Sequence, residues 1–133
     1  MQVQSINNYS QQNSTNFGAL KNIKCKKGYC SEQEKLIIDE LKKLAKEHNF
    51  FKKHDVNAVV SVESWKGAEV RLESKPAAKT LGDRLRNFFA EPEVHAVKDT
   101  HSCPYDSTYF MARKLRDIRT NKESFLTIFT KRN

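Results

Sequence analysis

The sequence predicts an α+β fold, a single domain in which helices cover one face of a small, mostly antiparallel sheet in the order α-β-β-α-β-α-β. Two neighbouring segments, residues 56–63 and 68–73, alternate apolar with polar side chains, which is the spacing of strands. Other segments repeat apolar residues every three or four positions, which is the spacing of helices. A chain of 133 residues is long enough for one well-packed core. We therefore predict one domain over residues 31–133, preceded by a disordered, polar and basic leader over residues 1–30.

The leader begins with a polar segment, residues 1–20, in which Asn, Gln, Ser and Thr dominate and no helical or strand period appears. Such a segment buries too little apolar area to offset the entropy of ordering it, so we expect it to be disordered. It closes on the run Asn16-Phe17-Gly18-Ala19-Leu20. A polar leader with this ending resembles the start of many uncharacterised small proteins from gut commensal bacteria, and the resemblance implies no activity.

The first helix is predicted over about 31–48. Ser31 and Glu34 have the spacing of a capping box, and Ile37, Leu41 and Leu44 follow them as one helical stripe. The two alternating segments come next, and a short turn that contains glycine joins them. This arrangement predicts an antiparallel β-hairpin.

In the second half of the domain, the sequence predicts two helices and two strands. Pro76 ends the hairpin, and a short helix follows, with Thr80 and Asp83 placed to cap its first turn. The apolar residues of this helix are Leu81, Leu85, Phe88 and Phe89. We predict a third strand over 94–98 and a last helix from Asp106 or Ser107.

One face of that last helix carries Met111, Leu115 and Ile118. The final segment, residues 125–130, is β-branched or aromatic on both faces, which is typical of a strand with neighbours on each side.

Lys and Arg number 24 against 16 Asp and Glu, so the formal net charge is +8. Residues 1–30 and residues 106–133 each contribute +4, while residues 31–105 hold 13 basic and 13 acidic side chains. Basic ends of this kind suit a nucleic acid, an anionic lipid surface or an acidic protein. The sequence contains no apolar run of the roughly 18 to 20 residues that spans a membrane, and no apolar core of a secretory signal. We expect a cytoplasmic protein, the alternative being secretion without a cleaved signal peptide.

The odd cysteine count, three, favours reduced thiols over a disulfide framework. Cys103-Pro104-Tyr105 precedes the last helix and resembles the active-site turn of glutaredoxin-like thiol enzymes. The resemblance implies a single-thiol redox protein with Cys103 as its catalytic residue, because Asp106 occupies the place of that family's second cysteine. The start of a helix stabilises a thiolate, which is the reactive form of cysteine.

A zinc site is the second hypothesis that involves cysteine. Cys25 and Cys30 flank a loop with a turn glycine, and His101 with Cys103 would complete a tetrahedral Cys3His set. The alternative is that Cys25 and Cys30 flank a flexible loop and oxidise in air. We expect no bound metal and no cofactor.

A basic stripe on the last helix is the strongest binding signal. Its residues are Arg113, Arg116, Arg119 and, just beyond the helix, Lys122. Aromatic residues do not alternate with these bases along the sequence, as a platform for a single strand of nucleic acid would require. Trp65 lies at the tip of the predicted hairpin and is a second candidate contact.

From these observations we predict a non-catalytic binding or protein-interaction module whose partner is a protein or a nucleic acid. One alternative is nucleic-acid binding through the basic last helix, and the other is single-thiol redox chemistry at Cys103.

Overall fold

The computed structural model describes residues 18–132, which form a five-stranded sheet with two long helices packed on one of its faces. The strands are β1 (Ala19–Cys25), β2 (His54–Glu63), β3 (Gly67–Pro76), β4 (Glu93–Asp99) and β5 (Thr130–Arg132). The helices are α1 (Glu32–Glu47), α2 (Asn49–Lys53), α3 (Leu81–Phe89), α4 (Pro104–Arg119) and α5 (Phe125–Ile128). The α+β class that the sequence predicted is therefore confirmed.

The strands lie side by side in the order β1-β2-β3-β4-β5. Strand β1 runs parallel to β2, and each of the other neighbouring pairs is antiparallel. The sheet is thus mixed rather than mostly antiparallel. Helices α1 and α2 form the crossover between β1 and β2, which a parallel pair requires because its strands begin at the same edge.

The core lies between the sheet and helices α1 and α4. The predicted stripe of α1 is fully buried, and so are Met111 and Leu115 of α4, with Ile118 1 % exposed. The inward side chains of β2 and β3 complete this core, and they include Val56, Val60, Val70 and Leu72. The apolar stripes of the helices and the apolar positions of the strands, both read from the sequence, therefore face each other across one core.

The caps and turns that position these elements are set by the side chains and backbone angles of a few local residues. Ser31 and Glu34 form the predicted capping box at the start of α1. The turn between β2 and β3 has two residues with positive φ, Trp65 at 70° and Gly67 at 93°. A side chain at position 67 would collide with the carbonyl oxygen of Asp99, so this position requires glycine for space as well as for conformation.

The predicted start of the domain near residue 31 is too late, because residues 19–25 form strand β1. The register shifts between Leu20 and Asn22, so the apolar residues Leu20 and Ile23 are three positions apart rather than two or four. This irregularity hides the strand period in the sequence. Residues 1–17 of the predicted leader lie outside the described residues.

The last predicted strand is also partly wrong. Residues 125–128 form the short helix α5, and only Thr130–Arg132 pair with β4. Ser124 caps α5 by accepting a hydrogen bond from the Thr127 amide. Phe125 and Phe129 are four positions apart and both buried, so their spacing is helical although the residue types favour a strand.

Helix α3 is confirmed but contributes no buried residue. Its Asn87 side chain donates to the Pro76 carbonyl oxygen at 2.6 Å, and the Lys75 ammonium donates to the Asn87 carbonyl oxygen at 2.7 Å. The apolar side chains of α3 remain exposed, Phe88 by 77 % and Phe89 by 81 %. Across residues 18–132, none of the helices combines the length and the apolar character needed to cross a membrane.

Candidate functional site

The basic residues singled out in the sequence follow one side of α4. Arg113 and Arg116 are exposed, Arg119 is partly buried at the C-terminal end, and Lys122 is exposed in the turn beyond the helix. The opposite side of α4 is the buried stripe that packs on the sheet. Helix α4 is therefore amphipathic as predicted, and its exposed side is the basic one.

Glu40 of α1 links this basic row to the neighbouring helix. Its carboxylate oxygens lie 3.3 Å from a guanidinium nitrogen of Arg116, 3.6 Å from one of Arg119 and 3.7 Å from the Lys43 ammonium. Glu40 is only 8 % exposed, whereas the side chains of Arg116 and Lys43 are more than half exposed. Three positive charges thus surround one negative charge, and the surface above it remains positive.

Two exposed tyrosines share this side of α4. Tyr105 is 72 % exposed and Tyr109 is 60 % exposed. The spacing of Tyr105, Tyr109 and Arg113 is four residues at each step, so the aromatic and basic side chains lie on one helical stripe. Aromatic and basic side chains therefore share one side of α4, although they do not alternate along the sequence. A search of the sequence at helical spacing, rather than between neighbours, would have found the tyrosines.

A groove of about 340 Å³ runs between α1 and α4 beside these tyrosines. Its α1 side includes Leu36, which is 57 % exposed, and the carboxylate of Glu40. We call the combined region the α1–α4 surface, and its residues are Leu36, Glu40, Lys43, Tyr105, Tyr109, Arg113 and Arg116. It offers apolar rings, exposed cations and a shallow depression in one place.

Trp65 lies apart from the basic residues at the C-terminal end of α4. It is 85 % exposed, and its amide donates to the Ser102 carbonyl oxygen at 2.8 Å. This bond fastens the β2–β3 turn to the loop before α4. Trp65 is therefore beside the N-terminal end of α4, whereas Arg119 and Lys122 lie at the other end. Trp65 does not pack back on the core.

Cys103 is exposed at the N-cap position of α4, and its side chain makes no capping hydrogen bond to the helix. The nearby His101 ring is held elsewhere. Its Nδ1 lies 2.7 Å from a carboxylate oxygen of Asp99, and the ring stacks on Phe110 with centroids 4.3 Å apart. The structure thus places Cys103 at the start of a helix, as the thiol hypothesis requires, and gives His101 a separate role in the loop.

Cys25 and Cys30 form a disulfide, unlike the reduced thiols expected from the odd cysteine count. Two ligands of the hypothetical Cys3His set are therefore joined to each other. Among residues 18–132, no group of three or more His, Cys, Asp or Glu side chains is arranged to hold a metal ion. The described geometry gives the zinc hypothesis no support.

No match was found among protein-family models, curated proteins or solved structures. The interpretation of the surface therefore depends on its own contacts, charges and exposed side chains.

Proposed function

We propose that this chain is a non-catalytic binding module whose α1–α4 surface takes a single-stranded segment of nucleic acid. The observation that carries the proposal is the exposed row of Tyr105, Tyr109, Arg113 and Arg116 on α4. The row spans twelve residues, or about 16 Å along the helix. That length accommodates more than one nucleotide.

The tyrosines supply the contact that favours bases. Every nucleobase has a ring face, and stacking on an aromatic side chain contributes roughly 1–3 kcal/mol per base. Tyr105 and Tyr109 are both more than half exposed, so stacking does not require the core to open. Bases in a duplex are already stacked on one another, so this contact favours a single strand.

The cations supply the contact that favours phosphate. Arg116 and Lys43 share one carboxylate with Arg119, so the cluster has two positive charges in excess. The cluster is held in place because Glu40 is buried between the helices. Its charge adds to that of a chain whose net charge is +8.

The test is fluorescence anisotropy with a labelled 20-nucleotide RNA, the same DNA strand and the corresponding duplex, between 50 and 200 mM salt. We expect the single strands to bind more tightly than the duplex. Tyr109→Ala should weaken single-strand binding about tenfold through lost stacking. Arg113→Ala should reduce the slope of log affinity against log salt by about 1.

The matched control is Arg71→Ala, which removes the same charge from the opposite face of the sheet. It should change binding far less than Arg113→Ala. Glu40→Gln should tighten binding because it raises the positive charge of the surface. Equal losses in Arg71→Ala and Arg113→Ala, or binding indifferent to Tyr109→Ala, would contradict the proposal.

A further inference from the structure

A second candidate site lies at the end of the sheet away from Trp65, where α2, α5 and the first residues of β4 meet. The cavity there measures about 990 Å³. We call it the histidine pocket, since His48, His54 and His95 line it together with Phe50 and Phe125. None of these residues belongs to the α1–α4 surface.

The apolar wall of the histidine pocket is a column of stacked rings. Phe50 stacks on His54 with centroids 4.5 Å apart and on Phe125 with centroids 4.3 Å apart. Phe129 extends the column beyond Phe125 at 4.8 Å, and successive ring planes differ by only 21° to 22°. Phe129 is fully buried and Phe125 is 5 % exposed, so the wall is anchored in the core.

Two of the histidines have their tautomers set by the backbone of Phe50. Nδ1 of His48 accepts a hydrogen bond from the Phe50 amide at 3.2 Å, so the neutral ring carries its proton on Nε2 and can donate there. Nδ1 of His54 lies 2.9 Å from the Phe50 carbonyl oxygen and donates to it. The Nε2 atom of neutral His54 is therefore an acceptor.

His95 is the group that this arrangement leaves unsatisfied. Its side chain meets Phe50 edge-on, the residue is only 5 % exposed, and Nδ1 is buried without a hydrogen-bond partner. Leaving a buried polar group unpaired costs about 1–3 kcal/mol. A polar atom of a bound molecule would remove that cost.

The charges around the pocket favour an uncharged occupant. Glu93 and Lys131 line the cavity as an ion pair 3.1 Å long and largely neutralise each other, while the exposed carboxylate of Glu123 also lines it and disfavours an anion. Burial lowers the pKa of both His48 and His95, which keeps these rings neutral near pH 7. The pocket thus combines an aromatic wall with neutral donors and acceptors.

We propose that the histidine pocket binds a small uncharged nitrogen heteroaromatic ring, whose body packs on the ring column and whose nitrogen pairs with Nδ1 of His95. This inference is independent of nucleic-acid binding at the α1–α4 surface. The ring class follows from the wall, the need for a hydrogen-bonding atom follows from the unpaired histidine atom, and a ring nitrogen supplies that atom without adding charge.

The test compares benzimidazole with indene, which has the same shape but no hydrogen-bonding atom, at pH 7.5. Two-dimensional ¹H–¹⁵N NMR titration of the full chain should shift the amides of Ser124, Phe125 and Leu126. Benzimidazole should bind at least tenfold more tightly than indene. His95→Phe, which keeps a ring and removes Nδ1, should abolish that preference, and His95→Asn should restore part of it.

The matched control is His101→Phe, which makes the same substitution at an exposed histidine in the loop before α4. It should leave the preference for benzimidazole unchanged. Equal affinity of the two probes in the unaltered protein would overturn the proposal without any variant. Absence of shifts at millimolar benzimidazole would also overturn it.

Discussion

Glu40 and His95 show how a single buried polar residue organises each candidate surface. Glu40 is surrounded by three cations that compensate its charge, with a guanidinium nitrogen of Arg119 3.6 Å from the Oε1 atom that lacks a hydrogen bond, and the surface above it stays positive. His95 instead has a buried nitrogen with no partner. The ion pairs of Glu40 hold the α1–α4 surface in place, whereas the unpaired nitrogen of His95 is a reason for a ligand to bind.

The histidines predict a pH dependence of stability. Burial depresses the pKa of His48 and His95 in the folded state below the usual 6.5, so the unfolded chain takes up protons first as the pH falls. The stability that these neutral rings contribute is complete well above pH 6.5 and is lost as the pH falls from there towards the depressed folded-state pKa values. Urea unfolding at pH 8, 7, 6 and 5 measures this loss.

His95→Phe removes one of the two groups and should flatten the change in unfolding free energy over that pH range. His101→Phe serves as the comparison, since it makes the same substitution at an exposed histidine in the loop before α4. Glu93 is a separate contributor, because hydrogen bonding and charge from Lys131 lower its pKa. Its contribution is lost only at lower pH, as the carboxylate becomes protonated. A slope unchanged by His95→Phe would contradict the assignment.

At the scale of elements, helices α1 and α4 and the β2–β3 hairpin could be predicted because each has one buried face with a regular period. Strand β1 could not, because the irregularity after Leu20 interrupts its period. Helix α5 could not, because its four residues are too few for a stripe and their types favour a strand. Short or irregular elements depend on neighbours that the local sequence does not contain.

Helix α3 has the helical apolar period that the sequence predicted, but it contains no buried residue. This leads to a second prediction. Phe88 is 77 % exposed, so Phe88→Ala should change the free energy of unfolding by no more than about 0.5 kcal/mol. Phe51 of α2 is fully buried, and Phe51→Ala should cost about 3–5 kcal/mol through lost burial and the cavity left behind. Chemical denaturation of both variants provides the measurement. A large loss for Phe88→Ala would mean that α3 is covered by something in solution.

At the scale of the whole molecule, the Cys25–Cys30 disulfide joins the end of β1 to the residue before the cap of α1. The bond closes a short loop, with the two cysteines five positions apart. Restricting such a loop in the unfolded chain contributes about 2 kcal/mol. Reduction should therefore lower the free energy of unfolding by that amount, as measured by urea unfolding with and without reductant.

The double variant Cys25→Ser/Cys30→Ser should be insensitive to reductant, whereas Cys103→Ser should respond like the unaltered protein. Thiol labelling of denatured protein should detect one cysteine before reduction and three after it, since Cys103 is free. Three reactive thiols before reduction would contradict the disulfide.

The sequence by itself determined the α+β class, the hairpin, the stripes of α1 and α4 and the basic row on α4. Each of these depends on residues a few positions apart, whose relative directions follow from helix or strand geometry. Only the tertiary structure decided that Arg116 meets Glu40, 76 positions away, and that His48 and His95 line one pocket. Such contacts arise when distant elements pack to bury their apolar faces, and no local spacing encodes which polar groups are then brought together.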